Sequence, residues 1–381
     1  MENNNNKDFF TDRQGRVHPH SESYYQRKRQ VRMQLFLLAA GVAALIALII
    51  GIVRLLHRGT QTEVQAKELE PAAGAAVALE KLPEATPQEE VPEEEEEETT
   101  EAIGSHPDLF YEGYEVYQDS ATKSIWNEEV VSSYGVLIDL KDGHIVAQRN
   151  AEERMYPASM TKVMTILTAA DYVTDPEDTF VMTQEITDYV FRHECSQVGY
   201  SVGEEMTVRE LFFGTILPSG GDAAMALAYY TAGSVEAFAE LMNKKAEELG
   251  IADVAHFTNP IGIHDPENYC TPISMAMIMK AALENDLCRE ALGAHIYTTA
   301  ATEYHPDGIQ ISNWFLRRIE DKDTHGVVLG AKTGFVNESG CCAVSYEQSD
   351  DGNEYICVTG KANTSWRAIY DHVAIYDDFV N

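Results

Sequence analysis

Positive charge is scarce in this chain: 28 Lys and Arg stand against 62 Asp and Glu among 381 residues, a formal net charge of −34. Phosphate backbones are held by basic patches, so nucleic acid is excluded as a partner. Cysteine is sparse too. The six (Cys195, Cys270, Cys288, Cys341, Cys342, Cys357) form neither a C-x-x-C pair nor the Cys/His spacing of a zinc site. None of the 12 histidines stands in an H-E-x-x-H helical pair, which excludes that pattern of metal-dependent hydrolysis. No metal or cofactor is called for, and no internal repeat is visible.

Charge is absent altogether from Leu35 to Val53, LFLLAAGVAALIALIIGIV. As a helix this run is long enough to cross a hydrocarbon core of about 30 Å. It exceeds the apolar stretch of a cleaved signal, and no A-x-A-like site follows in RLLHRGTQT, so residues 33–56 are predicted to remain as a transmembrane anchor. Residues 1–32 carry Lys7, Arg13, Arg16, Arg27, Lys28, Arg29 and Arg32 with almost no apolar periodicity, which predicts a disordered basic tail on the cytoplasmic side. Residues 57–104 are Ala, Pro, Thr and Glu, including six consecutive glutamates from Glu93 to Glu98. That composition cannot bury a core and predicts an extended, self-repelling linker. The globular part is then residues 105–381, outside the membrane. All six cysteines fall in it, where an oxidising exterior permits disulfides. Cys341 and Cys342 lie on a predicted strand whose hairpin partner carries Cys357, which leaves one cross-strand bridge open.

Within 105–381 the pattern predicts an α+β domain. YGVLIDLKDGHIVAQ alternates around Asp142-Gly143, the signal for a two-residue hairpin turn. PASMTKVMTILTAADYV has apolar residues at helical spacing on most sides. Further helices are marked by the capping-box pair Thr207 and Glu210, by Thr271 with Pro272 at the first helical position, and by Gly250 as a stop. CCAVSYE and EYICVTGK alternate as strands near the end, followed by a closing helix in TSWRAIYDHVAIYDDFV. Strands from both ends with helices between them predict one antiparallel sheet covered by helices.

Against this frame, Ser159 and Lys162 in PASMTK stand three apart at the start of a core helix, so the amine can reach the hydroxyl. Ser120 and Lys123 in DSATK share the spacing with no apolar helix behind them, an internal control. Lysine acts as a base only when neutral, and lowering it from about 10.4 to near 7 removes roughly 4–5 kcal/mol of ammonium stabilisation. Burial and a second cation can do this. Lys332, Thr333 and Gly334 on a predicted edge strand offer that cation, a hydroxyl for a substrate carboxylate and a place for a ligand backbone to lie close. Ser219, in LPSGGDAA, stands at a loop-to-helix junction and alone reads as a helix cap.

The order Ser159-Lys162, Ser219, Lys332-Thr333-Gly334 is that of penicillin-recognising serine enzymes. From about Tyr134 onward the chain resembles the serine-type D-alanyl-D-alanine carboxypeptidases, the low-molecular-mass penicillin-binding proteins, through PASMTK, SVGEEMTVRELFFGTILPSGGDAA, FTNPIGIHDPENYCT and the KTG strand. The resemblance implies a β-lactamase/transpeptidase-like fold with a helical subdomain. It implies removal of the terminal D-alanine from peptidoglycan stem pentapeptides through an acyl-enzyme, with β-lactam antibiotics as covalent inhibitors. Ser159 would be the acylated nucleophile, Lys162 its base, Ser219 the relay to the leaving amine, and Lys332 with Thr333 the carboxylate clamp. The backbone N–H groups of Ser159 and Phe335 would form the oxyanion hole.

Two departures accompany the resemblance. The second motif usually ends in asparagine, where this chain has Gly221, and many relatives carry a further β-rich domain and a C-terminal amphipathic membrane helix, for which the N-terminal anchor is expected to stand in. A β-lactamase would need a glutamate to activate the deacylating water, for which Glu267 in DPENY is the tempting candidate. A sensor that is acylated without turnover is the other alternative. His264 and Asp265 are expected to be structural.

Overall fold

The strands at the two ends of the globular region meet in one sheet because each alternates, or is continuously apolar, and needs cover on its buried faces. The computed structural model of the protein describes residues 9–11, 17–19, 110–111, 114–126 and 128–380. Six strands are involved: β1 (Lys123–Ser124), β2 (Tyr134–Asp139), β3 (Ile145–Arg149), β4 (Gly326–Val336), β5 (Gly340–Ser349) and β6 (Glu354–Ala362), in the spatial order β4-β5-β6-β2-β3-β1. All neighbours are antiparallel except β1, which joins β3 in parallel, Lys123 opposite Ala147. The fold is thus mixed α/β with a sheet dominated by antiparallel pairs, and β4 is its edge.

Helices cover both faces. On one side lie α1 (Thr161–Ala170), α2 (Gln184–Arg192), α3 (Val208–Ile216), α4 (Gly221–Ala232), α5 (Val235–Glu248), α6 (Pro272–Glu284) and α7 (Asp286–Gly293). Their apolar side chains form the larger core with Val136, Ile138, Val344, Ile356 and Val358 of the sheet. The opposite face, with Leu137, Ala343 and Cys357, packs on the short α8 (Leu316–Ile319) and the C-terminal α9 (Ser365–Phe379). Helix α1 is buried along Thr161–Ala169, with Lys162 and three threonines inside as well as its apolar residues. The capping box at Thr207–Glu210, the Thr271 cap with Pro272 at the first position of α6, and Gly250 at φ +70° just after α5 act as their sequences predict, and Ser274 completes a second capping box with Thr271.

One expectation needs correction, and the bridge left open is decided. The β2–β3 connection is longer than two residues. Asp139 and Asp142 accept bonds from the Lys141 and His144 amides (2.8 and 3.0 Å), with Gly143 at φ +85°, so side-chain turns replace the tight hairpin. The cross-strand disulfide does not form: all six cysteines are free thiols. Register explains it, because Cys357 lies opposite Ser345 and Cys341 opposite Ala362. An offset of three or four residues is roughly 10–13 Å along the strand, beyond the reach of a disulfide.

The chain divides into two units, Met1–Glu94 and Glu95–Asn381, and everything above belongs to the second. In the first, Phe9–Thr11 pairs with Val17–Pro19 inside the basic segment whose composition predicts no order. Phe and Val there favour extended backbone. The apolar run Leu35–Val53 and the acidic linker lie outside the described residues. Among those described, no helix is long and apolar enough to cross a membrane.

Candidate active site

Between β3 and α1 the chain makes a 3-10 turn, Ala158–Met160, that flows directly into α1. Ala158 holds φ +47°, an uncommon conformation for a residue with a side chain, immediately before Ser159. Lys162 Nζ lies 3.0 Å from Ser159 Oγ and donates to the Ile261 carbonyl at 2.6 Å. With 1 % of Lys162 exposed, burial lowers its pKa to about 7, against the weaker opposing pull of Cys195 and Asp222. The Ser120–Lys123 control pair lies exposed on the far edge of the sheet.

Lys332 comes from the middle of edge strand β4. Its Nζ donates to Ser219 Oγ at 2.8 Å and to the Thr333 carbonyl at 2.7 Å, and only 2 % of the residue is exposed. Burial, followed by the nearby Lys162 charge, lowers its pKa well below the ordinary lysine value. Ser219 is not a helix cap. Gly220 occupies that position without a side-chain cap bond, and Ser219 itself is held at φ +62°. The first turn of α4 is tied down by Asp222, whose carboxylate accepts from the amides of Val198, Gly199 and Ala223. The segment that lines one wall of the cleft is fixed to α4 by those bonds.

Gly334 serves a purpose beside the one its motif suggests. A Cβ there would stand 2.7 Å from the Pro157 carbonyl and 3.0 Å from the Ser159 nitrogen. Its smallness therefore lets β4 lie directly on the nucleophile's turn, rather than only admitting a ligand. Thr333 and Phe335 alternate with Lys332 and Gly334 along the strand, and both line the cavity. Phe335 is 61 % exposed. The cavity, about 400 Å³, opens onto Ser159, Lys162, Ser219, Cys195 and Trp314.

Sequence reasoning missed the support for Lys162. Asn259 Oδ1 accepts from the amides of Ile261, Gly262 and Ile263 (3.2, 2.7 and 3.1 Å), folding the loop so that the Ile261 carbonyl meets the amine. Gly262 sits at φ +81°, where a Cβ would be 1.9 Å from the Ala158 carbonyl. The Asn-Pro and Gly of FTNPIGI were a turn signal that pointed to no partner. Gly221 also has a physical setting. It donates to the Ser196 carbonyl at 2.7 Å, and a Cβ there would meet Cys195 Cβ at 3.0 Å. The place that a longer side chain would take is already filled.

The remaining candidates fall outside the cavity. His264 packs edge-on against Tyr156, with ring centroids 4.7 Å apart. Asp265 caps the local turn by accepting from the Glu267 amide. Glu267 is exposed and is not among the residues lining the cavity.

Residues 120–364 match the profile of the family described as D-alanyl-D-alanine carboxypeptidase. The D-alanyl-D-alanine carboxypeptidase DacF of Bacillus subtilis is 30 % identical over 207 residues, 54 % of this chain and 51 % of that protein. The chain thus spans about half the length of that relative. The D-alanyl-D-alanine carboxypeptidase of Streptomyces sp. strain K15 is 31 % identical over 217 residues, covering 53 % of this chain and 71 % of that one. The crystal structure of the Streptomyces K15 DD-transpeptidase aligns with a TM-score of 0.59 at 25 % identity, covering 66 % of this chain and 98 % of the other.

Proposed function

Because the chain belongs to the D-alanyl-D-alanine carboxypeptidase family, we propose that it removes the terminal D-alanine from peptidoglycan stem pentapeptides by way of an acyl-enzyme on Ser159. The observation that carries this reading is a buried lysine, poised near neutrality, 3.0 Å from a serine hydroxyl at the floor of a cleft.

The substrate's terminal carboxylate sits against Lys332 and the Thr333 hydroxyl, and its negative charge favours the ammonium form that burial alone disfavours. Ser159 Oγ attacks the carbonyl of the penultimate D-alanine and gives its proton to neutral Lys162. The tetrahedral oxygen is stabilised by the backbone N–H groups of Ser159 and Phe335. Ser219, already bonded to Lys332, relays the proton held by Lys162 to the leaving D-alanine amine as the C–N bond breaks, which leaves Lys162 neutral again. Neutral Lys162 then takes a proton from water as the water oxygen attacks the ester carbon, and returns it to Ser159 Oγ as the acyl–oxygen bond breaks. β-Lactams acylate the same serine and release slowly.

For the whole chain the reading adds an anchor at residues 33–56, a cytoplasmic tail before it, an acidic tether over 57–104 and an extracytoplasmic catalytic domain from 105. The length and apolarity of Leu35–Val53 and the cationic excess preceding it support this arrangement.

Labelled penicillin and a D-alanine release assay test the function together. Acylation at Ser159 with release of D-alanine from a pentapeptide is expected. Acylation without release would make the protein a sensor, and rapid destruction of the label a β-lactamase. Partition of the full chain into washed membranes tests the anchor, and a protein that starts near residue 60 to 80 would refute it.

A further inference from the structure

Large aromatic side chains continue the cleft past its catalytic end. Trp314 lines the cavity together with Ser365 and Ala368 at the start of α9. Trp366 meets Trp314 edge-on, with ring centroids 5.5 Å apart, and stacks with Tyr370 at 6.2 Å and an interplanar angle of 26°. Trp366 is 47 % exposed and Tyr370 41 %. Neither belongs to the apolar core behind the sheet, although Trp314 packs against that core. Two half-exposed rings are therefore stacked on each other at the surface without serving the interior. Apolar area left exposed in this way, contiguous with a catalytic cavity, marks a ligand surface.

A cation fixes the shelf. The Arg318 guanidinium lies 4.1 Å from the centre of the Trp314 ring and 5.4 Å from that of Trp366, and Nη1 donates to the Trp314 carbonyl at 3.1 Å. A guanidinium has five N–H donors. Most therefore remain for an oxygen-rich ligand beside the rings. An aromatic face carries negative charge, so it attracts the partly positive C–H groups on the flat side of a sugar ring. Stacked indole and phenol rings edged by guanidinium donors match a saccharide in both its apolar face and its hydroxyl rim.

We propose that Trp314, Trp366 and Tyr370, held by Arg318, form a saccharide-binding shelf that takes the amino sugar to which the stem peptide is attached. The proposal rests on the carboxypeptidase reading for its substrate and extends it from the reacting peptide end to the glycan. The shelf makes the protein prefer stems still joined to sugar over free peptide.

Two substrates with the same pentapeptide test this, one carrying the disaccharide of the peptidoglycan repeat and one without it. kcat/KM for D-alanine release is expected to be higher on the glycosylated stem. Trp366→Ala and Tyr370→Ala should each lower kcat/KM on that stem about five- to tenfold more than on the free peptide, and Trp366→Phe should restore part of the difference. Equal loss on both stems, or loss on neither, overturns the shelf. A second arm needs no turnover: titration of the full chain with the free disaccharide, followed by tryptophan fluorescence, should saturate for the wild type and weaken at least fivefold for Trp366→Ala. Equal affinities would also overturn it. Failure to release D-alanine from any stem, with disaccharide binding intact, would refute the carboxypeptidase reading and leave the shelf standing.

Discussion

Replacing Gly221 by asparagine tests whether the departure from the family's second motif is a loss or an exchange. The Asn Cβ would arrive 3.0 Å from Cys195 Cβ, 3.3 Å from the Ser196 carbonyl and 3.3 Å from Val190 Cγ1. These contacts are tighter than side chains normally make, and the amide beyond the Cβ needs further room. Overpacking a buried site costs about 1–3 kcal/mol. Removing a glycine from a helix recovers no more than about 0.5–1 kcal/mol, and less for Asn than for Ala. The net expectation is about 1–2 kcal/mol of destabilisation, a Tm lower by roughly 2–8 °C for a domain of this size. The wall that yields carries Cys195, which shares the cavity with Ser159 and Lys162, so penicillin acylation should slow as well. The colliding atom is a Cβ. Cys195→Ala added to Gly221→Asn should therefore leave the defect, whereas Cys195→Gly, which removes the closest of the three contacts, should recover part of the Tm. Thermal unfolding and stopped-flow acylation on the three variants provide the measurement. A Gly221→Asn protein that acylates several-fold faster than wild type with an unchanged Tm would refute the reasoning, because it would show that the space is open.

Four further outcomes follow from the geometry. Acylation requires neutral Lys162, so with its pKa at about 7 the rate should climb tenfold per pH unit below 7 and level off above it; a flat profile from pH 5 to 8 would remove Lys162 as the base. The same depressed pKa means the unfolded chain binds more protons between about pH 7 and 10.4, so this lysine's contribution makes stability rise with pH through that window; Lys162→Met should flatten the slope in chemical denaturation. Ser159→Ala should abolish penicillin labelling while Ser120→Ala, on an exposed turn, leaves it intact, as read by gel fluorography. Gly262→Ala places a Cβ 1.9 Å from the Ala158 carbonyl at φ +81°, and should cost at least about 2 kcal/mol by denaturant titration, together with most of the acylation rate.

The sequence by itself determined what depends on near neighbours. Ser159 and Lys162 are three residues apart at a helix start, so a rise of 1.5 Å per residue brings them onto one side regardless of the rest of the fold. The caps at Thr207 and Thr271, the stop at Gly250 and the alternation of the late strands are equally local, and each stands where its pattern puts it. Contacts across many residues were decided only by the tertiary structure. Lys332 meets Ser219 across 113 residues, and Lys162 meets the Ile261 carbonyl across 99. The parallel joining of β1 and the offset that keeps Cys357 from Cys341 are matters of register. Gly221 and Gly334 read alike as small residues in motifs, yet one makes room for a loop and the other for the turn of the nucleophile. Lys162 becomes a base for the same reason: a lysine's charge is lost to its surroundings, and burial is set by every element packed around it.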